Sequence, residues 1–263
     1  VANHHSGTLS VIDTVARRVI AEHTVGRRLS DLAAVVGTSW LLATDESAGR
    51  LLLLEHRDDD SIVVQHQLDL GASPVSIVIL PGGRRCAVAS LWSRRLSIVD
   101  LADLPALRLL HSIELPFTAR CQLPLPGGSR VLVADAFGGR LAVVDIDRGI
   151  VEQVRSLAAH NIRGLALEPG GRAVLVAHQV LNPLARTTSS DVLWGLLMTN
   201  SLRRVRLADL ADRARSLAGS GLLMPLGEAG HPAGDPAAVA VTGSDRFVVA
   251  LAGANQVGIG RIG

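Results

Sequence analysis

The chain has 263 residues, 26 basic and 24 acidic side chains, and a formal net charge of +2. The basic side chains are all arginines scattered along the sequence, and only three Phe and three Trp are present, which disfavours nucleic-acid binding. No apolar run approaches the ~18 residues of a membrane span, so membrane insertion is not expected.

One phrase recurs along the chain at intervals of about 45 residues. It reads LPGGRRCAVAS at 80–90, LPGGSRVLVAD at 125–135 and EPGGRAVLVAH at 168–178. Looser copies are VVGTSWLLATD at 35–45 and VTGSDRFVVAL at 241–251, and the opening VANHH matches the end of the phrase. A second phrase, seen as GTLSVID at 7–13 and GRLAVVD at 139–145, follows the first and closes on an acidic residue.

Each repeat therefore contains four short apolar stretches separated by turn residues, which we name strands a, b, c and d. Several of them are continuous Val, Ile and Leu runs, which indicate burial on both faces of a sheet. Four strands in 40–45 residues are typical of β-propeller blades. The sequence thus predicts an all-β fold, a β-propeller of four-stranded antiparallel blades.

Local features support this assignment. Small residues in strand a, such as Gly164 and Ala166, leave space for neighbouring blades to approach, and the Gly-Gly turns between a and b supply a positive φ. The acid that closes strand c is expected to cap the following turn, with calcium binding as the alternative. These capping acids are Asp13, Asp100 and Asp145.

The blade count follows from the order of the phrases. Residues 1–25 supply strands b, c and d of one blade, four full blades start near Leu29, Val75, Ala119 and Ile162, and 237–262 supply a, b and c of a sixth. We expect residues 1–263 to form a single propeller domain, a fragment of a longer chain with seven blades in the parent. The alternative is a ring that stays open, whose unpaired strand edges favour aggregation.

Two stretches leave the repeat, at about 179–200 and 213–235. In a propeller, the b–c and d–a loops emerge on one face, which is the usual ligand face. We expect the first stretch to be a b–c loop and the second a d–a loop, so that together they form a lid or a docking surface.

The candidate site consists of polar and aromatic residues expected on that face. A polar funnel of this kind could hold a metal, an anion or the haem edge of a partner. The alternative is that these residues only make the hydrogen bonds common in propeller loops, and no local spacing identifies metal ligands. Trp194 is expected either to anchor the lid or to contact a partner. The candidate residues are Arg120, Asp135, His160, Asn161, Arg163, His178, Trp194 and His231.

The two cysteines, Cys86 and Cys121, fit no zinc or haem-attachment spacing. They are expected to be buried free thiols, with a disulfide as the alternative. The sequence has no Cys-x-x-Cys-His, so we expect no covalently bound haem in this chain. It also has no nucleophile–base–acid set, no P-loop and no dinucleotide fingerprint.

The repeats resemble the YVTN-type β-propeller family. VANHHSGTLSVIDTVARRVIAEHTVG, at 1–26, is similar to the half of the family repeat in which a Val-x-Asn strand precedes (S/G)TVSVIDT and an apolar strand ending in Val-Gly. IRGLALEPGGRAVLVAH, at 162–178, is similar to the PxGVAVSPDGKxVYVxN half. The resemblance covers nearly all of the chain outside the two long loops. The departures are Ala or Leu where the family often has Tyr, and Gly-Gly for Asp-Gly.

This resemblance implies a bacterial protein exported to the periplasm or beyond the cell. It also implies another domain or protein as partner, with a c-type cytochrome or di-haem peroxidase-like domain as the candidate. Our first hypothesis is a non-catalytic interaction or scaffold domain that presents a lidded polar face. The second is a redox enzyme domain that binds metal or haem at the channel mouth.

Overall fold

The structure is a computed structural model that describes residues 1–193, 195, 197–227, 233–243 and 245–262. Its regular structure is almost entirely β. The helical elements of the described part are α1 (Ser189–Leu193), α2 (Leu207–Ala211) and a single 3-10 turn (Ala252–Ala254).

Six sheets follow one another along the chain, and consecutive strands are neighbours within each sheet. The first sheet contains β1 (Ala2–Asn3), β2 (Thr8–Asp13) and β3 (Arg18–Thr24). The second contains β4 (Leu29–Ala34), β5 (Trp40–Asp45), β6 (Arg50–His56) and β7 (Ile62–Asp69). The third contains β8 (Pro74–Ile79), β9 (Arg85–Ser90), β10 (Arg95–Asp100) and β11 (Arg108–Glu114). The fourth contains β12 (Ala119–Pro124), β13 (Arg130–Asp135), β14 (Arg140–Asp145) and β15 (Ile150–Ser156).

The fifth sheet contains β16 (His160–Leu167), β17 (Ala173–Leu181), β18 (Met198–Arg206) and β19 (Leu222–Pro225). The sixth contains β20 (Pro236–Thr242), β21 (Arg246–Leu251) and β22 (Gln256–Arg261). The predicted all-β propeller of antiparallel blades is thereby confirmed, with four complete sheets between two three-stranded ones.

The turn chemistry predicted from the repeats is present. Gly82 and Gly83 have φ values of 90° and 71°, and the Gly-Gly turns of the next two sheets are alike. Asp13 Oδ1 accepts hydrogen bonds from the backbone of Val15 and Ala16, and Asp145 caps its own turn in the same way. The acids that close strand c therefore satisfy backbone N–H groups at the c–d turn.

The described chain divides into two compact units. The first comprises Val1–Val131 with Val144–Val151, and the second comprises Leu132–Val143 with Glu152–Gly263, so the fourth sheet contributes to both. The expectation of a single domain remains a prediction, and each unit is described by itself below.

In the first unit, the second sheet is buried on both faces. Leu42, Leu51 and Leu53 belong to a cluster shared with the third sheet, whereas Leu52 and Leu54 belong to one shared with the first sheet. Adjacent residues of β6 thus point into different cores, which is why the run is continuously apolar.

Side chains of strand a link neighbouring sheets of the first unit. Asp31 Oδ2 accepts a hydrogen bond from the backbone N–H of Ile77 at 2.7 Å. Gln122 Nε2 donates to the carbonyl oxygens of Ser76 and Ala87 at 3.0 and 2.8 Å. Burial raises the pKa of Asp31 above its ordinary value, against the effect of its two backbone hydrogen bonds.

The structure shows no disulfide between Cys86 and Cys121; Cys86 is buried, as expected, whereas Cys121 is only partly buried. Cys86 is fully buried, and desolvation raises its pKa to about 12. Its thiol is therefore inert at neutral pH.

In the second unit, Leu175, Ala177 and Leu202 of the fifth sheet pack against Phe247, Val249 and Leu251 of the sixth. Gly164 lies where the two inner strands are in close contact, since a Cβ there would sit 2.8 Å from the backbone nitrogen of Val239. The prediction that a small residue at this position lets neighbouring blades approach is confirmed.

The structure corrects the expected d–a loop at 213–235. β19 lies inside this range and pairs with β18, for example Leu202 with Met224, as the fourth strand of its sheet. The long connection is therefore the c–d segment at 207–221, which begins with α2, and the d–a connection is only 226–235. The misassignment arose because β19 has four residues and is identified by its pairing with β18 rather than by its own pattern.

Candidate functional site

The b–c hairpin of the fifth sheet is longer than its counterparts. In the second and third sheets, strand b ends at Asp45 or Ser90 and a four-residue turn leads into strand c. In the fifth sheet, β17 and β18 pair for nine residues each and continue through Gln179–Asn200, Val180–Thr199 and Leu181–Met198. We call residues 179–200 the hairpin extension.

The inner strand bulges where it faces the base of this extension. His160 pairs with Gln179 and Gly164 with Ala177, so residues 161–163 lie opposite His178 alone. Asn161, within the bulge, has φ of 49°, and Asp235 has φ of 45°. Bulges and left-handed non-glycine residues re-aim side chains and are frequent at functional sites.

These features place five polar side chains in one hydrogen-bonded group, which we call the amide cluster. Asn161 Nδ2 donates to Gln179 Oε1 and to Asp235 Oδ1, both at 3.2 Å. Gln179 Nε2 donates to Asn200 Oδ1 at 3.1 Å, and Asn200 Nδ2 donates to the Ala233 carbonyl at 2.6 Å. The group ties strands a, b and c to the connection before the sixth sheet.

The fifth member of the amide cluster is Arg163, which forms an ion pair with Asp235. Both side chains are only partly buried. The guanidinium of Arg163 is therefore neutralised within the protein rather than presented to an anion.

His178 differs from its expected place. β17 continues past it to Leu181, and its ring is 0% exposed, so His178 does not end strand b or face the opening. Its Nδ1 lies 3.0 Å from the Gln179 carbonyl oxygen, and its Nε2 lies 3.4 Å from Arg203 Nε. Because arginine only donates, Nε2 is the acceptor and Nδ1 carries the proton.

Arg203 is a buried cation that contacts neutral acceptors. Besides His178, it donates to the carbonyl oxygens of Ser220 at 3.0 Å and Ala158 at 3.3 Å. Burial lowers the pKa of His178, against the effect of its hydrogen bond to the Gln179 carbonyl, and the charges of Arg203 and His160 add to the lowering. The imidazole is thus held neutral beneath the amide cluster, while His160 is exposed above it.

Two further candidate residues that the structure describes, Asp135 and Arg120, are not members of the amide cluster. Asp135 is buried at the end of β13, where its carboxylate accepts from the backbone of Phe137 and Gly138 and pairs with Arg140 at 2.7 Å. Arg120 is in β12 of the first unit, so it is not part of the amide cluster. Trp194 and His231 lie outside the described residues.

Within the described ranges, no group of three or more His, Cys, Asp or Glu side chains is placed to hold a metal ion. A metal bound at His178 would have to displace Arg203 or the Gln179 carbonyl. No helix in the same ranges has the length and hydropathy needed to cross a membrane.

Gln179, Asn200 and Asp235 were missed by the sequence analysis. Gln179 and Asn200 lie inside the extended strands β17 and β18, and Asp235 lies just before β20. The sequence analysis had assigned all three residues to long loops. The signal that could have found Gln179 and Asn200 is register, because residues that extend strands b and c past the other blades must face each other. No such local signal points to Asp235.

Solved structures share this fold. Hydrazine synthase of Kuenenia stuttgartiensis matches with a TM-score of 0.80 and 17% identity, over 97% of this chain and 70% of that one. A candidate 6-phosphogluconolactonase of Bacteroides uniformis gives 0.67 and 15%, over 96% and 72%. The Cps50 (Swd1) β-propeller domain of Myceliophteria thermophila gives 0.57 and 14%, over 98% and 92%.

At these identities the comparisons define the chain as a β-propeller and go no further. No family model matches the sequence. No curated protein matches it.

Proposed function

We propose that this chain is a non-catalytic β-propeller interaction domain that binds a partner protein through its hairpin extension. The observation that carries the proposal is the length of β17 and β18, which pair for three residues beyond His178. At about 3.3 Å per residue, the extension projects roughly 10 Å further than a four-residue turn would.

The projecting segment exposes apolar side chains. Leu184 is 85% exposed, Leu181 44% and Met198 42%, and all three lie within the hairpin extension. Exposed apolar side chains on a protruding loop are typical of protein–protein contacts.

The amide cluster supports this function by fixing the base of the extension. Gln179 and Asn200 hydrogen-bond across the hairpin, and Asn161 and the Ala233 carbonyl hold them from either side. A binding element that is already ordered loses less conformational entropy when the partner docks.

The finer proposal rests on the resemblance to YVTN-type propellers. We infer an exported protein whose partner is a c-type cytochrome or di-haem peroxidase-like domain, with any haem or metal supplied by that partner. A redox centre held by His160 and His178 has less support, because both ring nitrogens of His178 are engaged within the protein.

A binding experiment tests both levels of the proposal. Purified bacterial c-type cytochrome and di-haem peroxidase are titrated into the protein by calorimetry, and into the variant Leu181→Asp/Leu184→Asp. We expect the wild type to bind one of them and the variant to bind at least tenfold more weakly, because charges replace exposed apolar contacts.

Val36→Asp is the control, since Val36 is 87% exposed in the a–b turn of the second sheet and far along the chain from the extension. Equal binding by wild type and the double variant would remove the hairpin extension from the interface. Absence of binding to either haem protein would remove the cytochrome proposal.

A further inference from the structure

The last residue of strand b is an acid in two sheets and a serine in the sheet between them. β5, β9 and β13 end at Asp45, Ser90 and Asp135. Asp45 and Asp135 are each 2% exposed and Ser90 is 0% exposed. The third sheet therefore has no carboxylate at a position where the second and fourth sheets each bury one.

Asp45 shows what a carboxylate does at this position. Its Oδ2 accepts a hydrogen bond from the N–H of Arg27 at 2.7 Å, and its Oδ1 accepts from the N–H of Arg28 at 3.3 Å. Burial acts to raise the pKa of Asp45, but the hydrogen bonds that the carboxylate accepts outweigh burial and the pKa is lowered. The position therefore favours a negative charge.

The third sheet has the same backbone donors. Leu91 N–H donates to the Ser73 carbonyl at 2.7 Å, as Glu46 N–H donates to the Arg28 carbonyl at 2.8 Å. Ser73 and the residue before it, Ala72, thus take the places of the two arginines whose N–H groups bond the carboxylate in the second sheet. Among the described residues, no acceptor is bonded to the N–H of Ala72 or Ser73.

Two hydroxyl groups lie beside these donors. Ser90 Oγ and Ser93 Oγ are both buried, and neither has a hydrogen-bond partner in the described part of the chain. Ser90 faces the second sheet, because Val88 on the same strand packs in the core that the two sheets share. A Cβ at Gly71, next to Ala72, would lie 3.9 Å from the Cβ and Oγ of Ser93. The hydroxyls and the backbone donors therefore surround one place between the two sheets.

The third sheet also has the arginine that neutralises the carboxylate elsewhere. Arg95 pairs in register with Ser90. Arg140, at the same spacing from Asp135, forms an ion pair with it at 2.7 Å. Arg95 contacts the Ser112 hydroxyl at 3.2 Å and forms no ion pair with a described carboxylate. Its positive charge is therefore uncompensated next to the position of Ser90.

The acids around this place are engaged elsewhere or exposed. Glu46 and Asp69 line the cavity that opens at Ala72 and Ser73. Glu46 accepts from a serine hydroxyl at 2.9 Å, and Asp69 forms an ion pair with an arginine of β6 at 2.8 Å. Glu114, which pairs in register with β10, is exposed. None of these three carboxylates is bonded to the donors of the third sheet.

We propose that the third sheet binds a small monovalent anion, such as chloride, at the place that a carboxylate takes in the second sheet. The N–H groups of Ala72 and Ser73 and the hydroxyls of Ser90 and Ser93 donate to the anion, and Arg95 supplies the compensating charge. A monovalent ion matches the single charge that an aspartate carries at this position. We call this place the anion site.

The chlorine-35 NMR line width of sodium chloride in the presence of the full chain tests the proposal. We expect the wild type to broaden the chloride resonance and Ser90→Asp to reduce the broadening several-fold, because the aspartate carboxylate takes the anion site. We expect Arg95→Gln to raise the chloride dissociation constant at least tenfold. This second variant alters a partly exposed side chain and gives the answer if Ser90→Asp fails to fold.

Thermal unfolding gives an independent readout. When chloride replaces gluconate at constant ionic strength, the melting temperature of the wild type should rise by several degrees, because the anion binds the folded chain. That of Ser90→Asp should not change.

Ser97→Ala is the matched control. Ser97 is 1% exposed and its Oγ has no described partner, but it pairs with Val88 and Ser112 rather than with the residues of the anion site. This variant should broaden the chloride resonance as the wild type does. A wild type that does not broaden the resonance would overturn the proposal, and so would broadening that Ser90→Asp and Arg95→Gln leave unchanged.

Discussion

At the residue scale, the most informative side chain is His178. Its ring is completely buried, its proton sits on Nδ1, and its Nε2 accepts from a buried guanidinium. A protonated imidazole could not accept that hydrogen bond and would add a second buried positive charge beside Arg203. His178 is therefore a structural residue that supports the amide cluster above it.

This environment predicts a pH dependence of stability. The unfolded chain takes up a proton near pH 6.5, whereas burial lowers the pKa of His178 in the folded chain. The contribution of this group is therefore present above pH 6.5 and lost as the pH falls towards the folded pKa, by at most about 1.4 kcal/mol between pH 7.5 and 5.5. Urea unfolding at both pH values measures the loss.

His178→Gln is the matched variant, because its amide can accept from Arg203 and donate to the Gln179 carbonyl without titrating. We expect its free energy of unfolding to change less over this pH interval than that of the wild type. Identical pH profiles for the two proteins would mean that His178 is protonated in the folded state or is not buried.

At the element scale, the c–d segment of the fifth sheet is hydrogen-bonded to β15, the last strand of the fourth sheet, and we call the bonded part of it the strap. We define the strap as residues 207–218. Arg155 of β15 donates to the carbonyl oxygens of Leu210 and Asp212 at 2.8 and 2.6 Å, and also to that of Arg215. Arg155 thus caps the C-terminal end of α2 and the turn that follows it.

The strap also carries its own charge network. Asp209, which is buried, pairs with Arg206 at 2.9 Å and Arg215 at 2.8 Å. Leu210 and Leu217 are buried beneath it. The strap is therefore held by both apolar burial and charge-assisted hydrogen bonds, and it links two successive sheets within the second unit.

Arg155→Met should release the strap. Removing the guanidinium leaves three carbonyl oxygens without their donor, so we expect a loss of about 2 kcal/mol in the free energy of unfolding. Limited proteolysis with trypsin should cut after Arg213 or Arg215 several-fold faster than in the wild type. Arg148→Met, at an exposed position in the c–d turn of the fourth sheet, is the control; equal cleavage rates in both variants would contradict the role of Arg155.

At the scale of the whole molecule, the fold depends on how closely consecutive sheets approach along their inner strands. Gly164 is a point of close approach in the second unit, because a Cβ would also lie 3.0 Å from the Ala238 carbonyl carbon. Backbone atoms cannot move aside as a flexible side chain can. The spacing of the fifth and sixth sheets is therefore set by a residue that has no side chain.

Gly164→Ala is expected to lower the free energy of unfolding by about 1–3 kcal/mol, the usual cost of overpacking. Thermal or urea unfolding measures it. Gly219→Ala is the control, because a Cβ at Gly219 meets no atom within 4 Å and should change stability by less than about 0.5 kcal/mol. Equal stability of the two variants would show that the inner strands can separate without cost.

The sequence by itself determined the sheets, their order and most of their strands. Turns such as Pro81-Gly82-Gly83 and runs such as β6 are local, and each repeat supports the assignment of the others, so no long-range information was needed. The tertiary structure alone decided the position of β19, the burial of His178 and the membership of the amide cluster. The physical reason is separation along the chain: Asn161 and Asp235 are 74 residues apart, and only the packing of successive sheets brings their side chains into hydrogen-bond contact.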